Sequence, residues 1–179
     1  MKQKKFLQVI PECYVDTGLM EYLLDAGVNH QHCCSKVVRQ LNVTFKDSFA
    51  IGIIDKDKVE MGYIKECDEV ASTGKHLTLL KHKTRNQFLI TINPAIDRFI
   101  LDSAKEEGVK PENFGLPSTL KDFIAVSKAV TSNQDVRFKS LFKAINGNRE
   151  ITNLKNSLDY LIRNNYQTDL SVVKKIFET

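Results

Sequence analysis

The segment Phe49-Ala-Ile-Gly-Ile-Ile-Asp-Lys-Asp57 carries the strongest fold signal in the chain. An apolar run comes first, and two aspartates that flank a lysine follow it directly. A short apolar run that ends in charged residues is typical of a strand buried on both faces. Such strands belong mainly to parallel sheets covered by helices, so this segment predicts an α/β fold.

The sequence on either side supports the same architecture. Residues 6–10 form a second short apolar run that ends at Pro11, and the residues between the two runs show apolar side chains at helical spacing. We therefore expect a mostly parallel sheet flanked by helices. The predicted strands are residues 6–10, 49–54, 77–80 and 87–92, and the predicted helices are residues 16–26, 31–41 and 95–107.

The sequence changes character near Pro111. Beyond it come four amphipathic segments separated by short polar breaks, at residues 116–130, 134–145, 150–163 and 170–177. We therefore predict an α/β domain over residues 1–110 and a helical C-terminal extension over residues 111–179.

Composition bounds the class of protein. The chain is 42% hydrophobic and 27% charged, as is usual for globular proteins, and no apolar run approaches the roughly 20 residues that span a bilayer. The apolar stretch near the start is too short for a secretion signal, so we expect a cytoplasmic protein with reduced cysteines and no membrane contact. His30 and the run His32-Cys33-Cys34 could suggest zinc, but a second spaced ligand pair is missing, which favours an ordinary helical turn.

Acidic residues follow both predicted parallel strands. Glu12 comes after the first strand, with Asp16 four residues on, and Asp55 and Asp57 follow the central strand. Parallel strands bring their carboxyl ends to one edge of a sheet, where sites are built, and alternation points Asp55 and Asp57 the same way. Clustered carboxylates repel one another, and their oxygens suit Mg²⁺ or Mn²⁺.

These residues also resemble a known family. The element Glu12-Cys-Tyr-Val-Asp16 is similar to the E-G-x-x-D element of Toprim domains, and Ile53-Ile-Asp55-Lys-Asp57 is similar to their D-x-D element. The resemblance covers about half of the chain, from Lys5 to Ile92. Two glycines of the family pattern differ, because Cys13 follows the glutamate and the glycine after D-x-D is displaced to Gly62.

The resemblance implies a function, and small Toprim nucleases of the overcoming-lysogenization-defect type fit best. It implies that Glu12 is a general acid/base or metal ligand, that Asp55 and Asp57 bind Mg²⁺ or Mn²⁺, and that Asp16 supports the site. The substrate would be DNA or RNA held by its phosphate backbone, in keeping with the net charge of +4. A separate ATPase, in bacterial antiviral defence, is the partner that the resemblance implies.

Several alternatives stay open at this point. Asp16 is equally well explained as a first-turn helix acid, and Asp97 is either a further metal ligand or another such acid. The basic turn at residues 81–85 could stabilise phosphate charge or be a plain surface turn. No P-loop or G-x-S-x-G motif occurs in the sequence. The rival to a nuclease is a non-catalytic Toprim-like module that binds a partner protein or nucleic acid.

Overall fold

The computed structural model describes residues 4–56, 62–129 and 132–179, and Asp57 lies outside these ranges. Within them the chain forms seven strands and eight α-helices. The strands are β1 (Lys5–Phe6), β2 (Val9–Pro11), β3 (Gly27–Val28), β4 (Ala50–Asp55), β5 (Cys67–Ser72), β6 (Leu77–His82) and β7 (Gln87–Ile92). The helices are α1 (Tyr14–Leu24), α2 (Cys34–Arg39), α3 (Gly62–Lys65), α4 (Ile96–Glu106), α5 (Leu120–Ser127), α6 (Val136–Ala144), α7 (Arg149–Asn164) and α8 (Leu170–Glu178).

The main sheet is mixed. Its strand order is β2-β4-β7-β6-β5, with β2, β4 and β7 parallel to one another and β6 and β5 each antiparallel to its neighbour. The expectation of a mostly parallel sheet is therefore only partly right. The error has a clear cause: β6 and β7 are joined by a short turn, and a connection this short can only pair strands antiparallel. The predicted α/β class with flanking helices is confirmed.

Both faces of the central strands are buried, as the apolar run predicted. In β4, Ile51 and Ile53 belong to the larger hydrophobic cluster, while Ala50 and Ile54 belong to a smaller one with α2. Period-two alternation sends successive side chains to opposite faces. Gly52 lies on the α2 face, where a β-carbon would come within 3.1 Å of Val37.

The C-terminal helices share the larger cluster with the sheet. This cluster contains residues of β2, β4 and β7 together with Phe138, Leu154 and Phe177 of α6, α7 and α8. The predicted helical C-terminal segment is therefore present, and it is packed on one side of the sheet. The proposed boundary near residue 110 stays a prediction.

Some helices and strands differ in their bounds from the prediction, and one strand was not predicted. Helix α1 begins two residues earlier than expected, because Cys13 and Asp16 form a capping box. The predicted helix at residues 31–41 divides into α2 and a π-helical turn, Gln40–Thr44. Strand β5 escaped prediction because it lies at the sheet edge and much of it is polar and exposed.

None of the helices in the described part of the chain is both long and apolar enough to cross a membrane.

Candidate acidic site at the sheet edge

Two carboxylates meet at the carboxyl ends of β2 and β4. The strands are adjacent and parallel, with Pro11 opposite Ile53, so Glu12 and Asp55 emerge at the same edge. The backbone amide of Asp55 donates a hydrogen bond to Glu12 Oε2 at 3.2 Å. Glu12 is 2% exposed and Asp55 is 6% exposed, so both carboxyl groups are almost entirely removed from solvent.

Helix α4 brings a third carboxylate to this edge. The amide of Ile96, in the first turn, donates to Asp55 Oδ1 at 2.9 Å. Asp97, the next residue, is buried and accepts a hydrogen bond from Ser127 Oγ of α5 at 2.5 Å. The N-terminus of α4, the positive end of the helix dipole, thus faces the carboxylate of Asp55.

These side chains line one cavity of about 270 Å³. The residues that matter for its chemistry are Glu12, Asp55, Asp97, His30, His32 and Lys128. Three of the six are acids from separate elements, and Lys128, which is exposed, supplies a positive charge at the mouth. The cavity therefore combines buried oxygen ligands with a cation, as the binding of a phosphate together with a metal ion requires.

Asp16 is buried near the cavity, in the first turn of α1. Its Oδ2 accepts the amide of Cys13 at 3.0 Å, while its buried Oδ1 has no hydrogen-bond partner among the described residues. Burial, and then the neighbouring charges of Asp55 and Glu12, raise the pKa of Asp16 well above its usual range. Asp16 is thus an acid of the first helical turn that caps α1, and its role in supporting the site stays a prediction.

Aromatic rings form one wall of the cavity. Tyr14 stacks on His30 with ring centroids 4.1 Å apart, and His32 meets His30 edge-on at 4.8 Å. Thr17 Oγ1 lies 2.7 Å from His30 Nδ1. Burial, together with the nearby His32, lowers the pKa of His30, so its imidazole is neutral near pH 7.

The structure brings together Glu12, Asp55 and Asp97 but not every residue that the sequence suggested. Asp57 falls outside the described residues. The basic turn at residues 81–85 lies near the amino-terminal ends of β4 and β7, because Gln87 pairs with Ala50 and Ile92 pairs with Asp55. The acids lie at the carboxyl ends of the parallel strands. Five residues of strand separate the two ends, roughly 17 Å. The suggestion that this turn stabilises phosphate charge at the site is therefore wrong.

Sequence reasoning missed three residues of the cavity. Lys128 ends α5, and nothing in its local sequence marks it as a site residue. His30 and His32 were considered only as zinc ligands beside Cys33. Nothing in the sequence signals their position, because the strand before them, β3, has only two residues and is recognised through its parallel pairing with β1.

The carboxylate oxygens of the cavity suit a hard divalent cation, but their number is small. Mg²⁺ keeps several waters and is bound through as few as one or two carboxylates, which Glu12, Asp55 and Asp97 can provide. Among the described residues, no group of three or more His, Cys, Asp or Glu side chains could hold a metal ion. A Mg²⁺ or Mn²⁺ ion in this cavity would therefore rest on one or two carboxylates and keep most of its waters.

Comparisons with known proteins give no family assignment. No family model, curated protein or solved structure matches this chain.

Proposed function

We propose that this protein is a Mg²⁺- or Mn²⁺-dependent nuclease that hydrolyses phosphodiester bonds in DNA or RNA. The single observation that carries the proposal is the cavity in which Glu12, Asp55 and Asp97 converge beside Lys128. Each acid comes from a different element, so the fold rather than local sequence assembles the group. Carboxylate oxygens that line one cavity are the ligands that Mg²⁺ and Mn²⁺ prefer.

The protein's own residues have distinct tasks in this proposal. Glu12 and Asp55 would hold and orient the ion, and the amide of Ile96 donates a hydrogen bond to Asp55 that orients its carboxylate. Asp97, fixed by Ser127, offers a further oxygen at the cavity wall. A bound divalent ion would supply charge stabilisation for the phosphate and activation of the attacking water. The ammonium group of Lys128 would attract the phosphate from the open side.

The Toprim resemblance adds a biological setting to the proposal. Nucleases of that kind act beside an ATPase on a separate chain in bacterial antiviral defence, and we propose the same partnership here. The support is the pairing of E-x-x-x-D at Glu12 and D-x-D at Asp55, each at a strand end.

The test is a cleavage assay on single- and double-stranded DNA and RNA, with Mg²⁺, with Mn²⁺ and with chelator. We expect metal-dependent cleavage that Glu12→Gln abolishes while nucleic-acid binding stays within about twofold, because affinity comes mainly from basic residues. Glu69→Gln, at an exposed position on β5, is the matched control and should cleave normally.

Two results would contradict the nuclease proposal. One is the absence of cleavage with either ion, alone or with a neighbouring ATPase. The other is full activity of Glu12→Gln. The first result would favour the non-catalytic module that binds a partner protein or nucleic acid, and the second would exclude Glu12 from the cleavage site.

A further inference from the structure

The hydrogen bonds around His30 indicate which of its two ring nitrogens carries the proton. The hydroxyl of Thr17 donates its one proton to the carbonyl oxygen of Cys13, 2.7 Å away, as helical threonines often do toward the preceding turn. Toward His30 Nδ1, also at 2.7 Å, this hydroxyl can therefore only accept. The proton of the neutral ring is therefore assigned to Nδ1.

The other ring nitrogen is then left with a lone pair. In a neutral imidazole, protonation at Nδ1 makes Nε2 an acceptor. Nε2 is buried and has no hydrogen-bond partner among the described residues. A buried acceptor without a partner is unfavourable, and His30 lines the cavity, so Nε2 can gain a partner when a ligand binds there.

We infer that His30 is the proton acceptor of the reaction, with Nε2 taking a proton from the water that attacks phosphorus. This inference rests on the proposed nuclease function. The water O–H bond breaks as its oxygen bonds to phosphorus, and the proton goes to Nε2. The bond from phosphorus to the leaving sugar oxygen breaks, its electron pair stays on that oxygen, and solvent protonates it.

In this assignment, the acids bind the ion and His30 accepts the proton. Glu12 and Asp55 already accept backbone hydrogen bonds and would hold the ion, whereas His30 lies among the aromatic rings that line the cavity and has an unpaired Nε2. A general base must come within hydrogen-bond reach of its proton, and such contacts commonly tighten only when substrate is bound. The stack on Tyr14 and the bond to Thr17 hold the ring in place for that contact.

The first test needs no activity. Long-range proton–nitrogen correlation spectra of the wild-type protein distinguish which ring nitrogen of each histidine is protonated. We expect His30 to be protonated on Nδ1 alone. His82 is the internal control with the opposite pattern, because its Nδ1 accepts the amides of Thr84 and Arg85, both at 3.2 Å. A proton on His30 Nε2 would overturn the inference and leave the nuclease proposal standing.

The second test uses His30→Ala with His82→Asn as the control at the far edge of the sheet. We expect His30→Ala to lose at least about 100-fold in cleavage, to keep the stabilisation by Mn²⁺, and to recover activity when imidazole is added. Recovery by imidazole is a response that a purely structural role does not give. Cleavage by His30→Ala near the wild-type rate would overturn the assignment of His30 alone. A wild-type protein that cleaves nothing would overturn both proposals.

Discussion

Replacing His76 with leucine should destabilise the protein most at mildly acidic pH. His76, just before β6, is 5% exposed and lies between two carboxylates of the helical layer. Its Nδ1 is 2.5 Å from Glu150 Oε2 on α7, and its Nε2 is 3.1 Å from Asp102 Oδ2 on α4. With an acceptor on each side, both nitrogens donate when the ring is protonated, so this position favours the cation. This cluster ties the sheet to two helices.

The sign of the pH dependence follows from the two pKa shifts. Burial alone lowers the pKa of His76, but the hydrogen bonds to Glu150 and Asp102 outweigh it, so the pKa is raised above 6.5. Burial raises the pKa of Glu150, but its hydrogen bonds to His76 and Thr73 outweigh that effect and lower it below 4.5. Stability from His76 is therefore complete below pH 6.5 and is lost as pH rises through its folded pKa. Stability from Glu150 is complete above pH 4.5 and is lost on acidification, so the cluster stabilises most between these limits.

The geometry sets the magnitude. The His76–Glu150 contact is a buried, charge-assisted hydrogen bond worth about 2 kcal/mol. Asp102 is 29% exposed, so its contact adds less than about 1 kcal/mol. We expect His76→Leu to lose about 3 kcal/mol at about pH 5.5 and about 1 kcal/mol less at about pH 8.5, where the neutral ring retains weaker bonds.

Urea unfolding of wild type and variant at both pH values measures these losses. The difference between the two proteins is the informative quantity, because burial lowers the pKa of His30 and of His82 and so gives the wild type an opposing slope. A loss that does not change between the two pH values would refute the charged-cluster explanation. A total loss below about 1 kcal/mol would refute the estimate of its strength.

Two further outcomes test the core and the site. Gly52→Ala should lower the free energy of unfolding by about 1–3 kcal/mol, because the new β-carbon would lie 2.8 Å from Leu89 Cδ1. Gly62→Ala is the control and should change the free energy of unfolding little, because Gly62 has open space around it. Equal effects of the two substitutions in thermal unfolding would contradict this packing. Mn²⁺ at roughly 100 times its Kd should stabilise the wild type by about 2.7 kcal/mol and leave Asp55→Asn unaffected, since one ligand is lost. The exposed change Asp68→Asn should respond as wild type does, and a thermal shift retained in Asp55→Asn would exclude that residue as a ligand.

The sequence predicted those parts of the fold that local pattern controls. The apolar run that became β4 was recognisable because a strand buried on both faces has almost no polar residues. The amphipathic C-terminal helices were recognisable from spacing, although their ends moved by several residues. Strand β5 was not recognisable, because its polar residues face solvent at the sheet edge and tertiary pairing with β6 alone makes it a strand.

The same distinction separates the residues of the candidate site. Glu12 and Asp55 could be placed together because each directly follows a strand, and neighbouring parallel strands end at one edge. Asp97 could be placed only as an alternative, because its position depends on how α4 docks. Lys128 depends on the packing of α5, and the free lone pair of His30 depends on one threonine proton. Chemistry at strand ends can thus be read from sequence, whereas the groups that complete the cavity become visible only once the helices are packed.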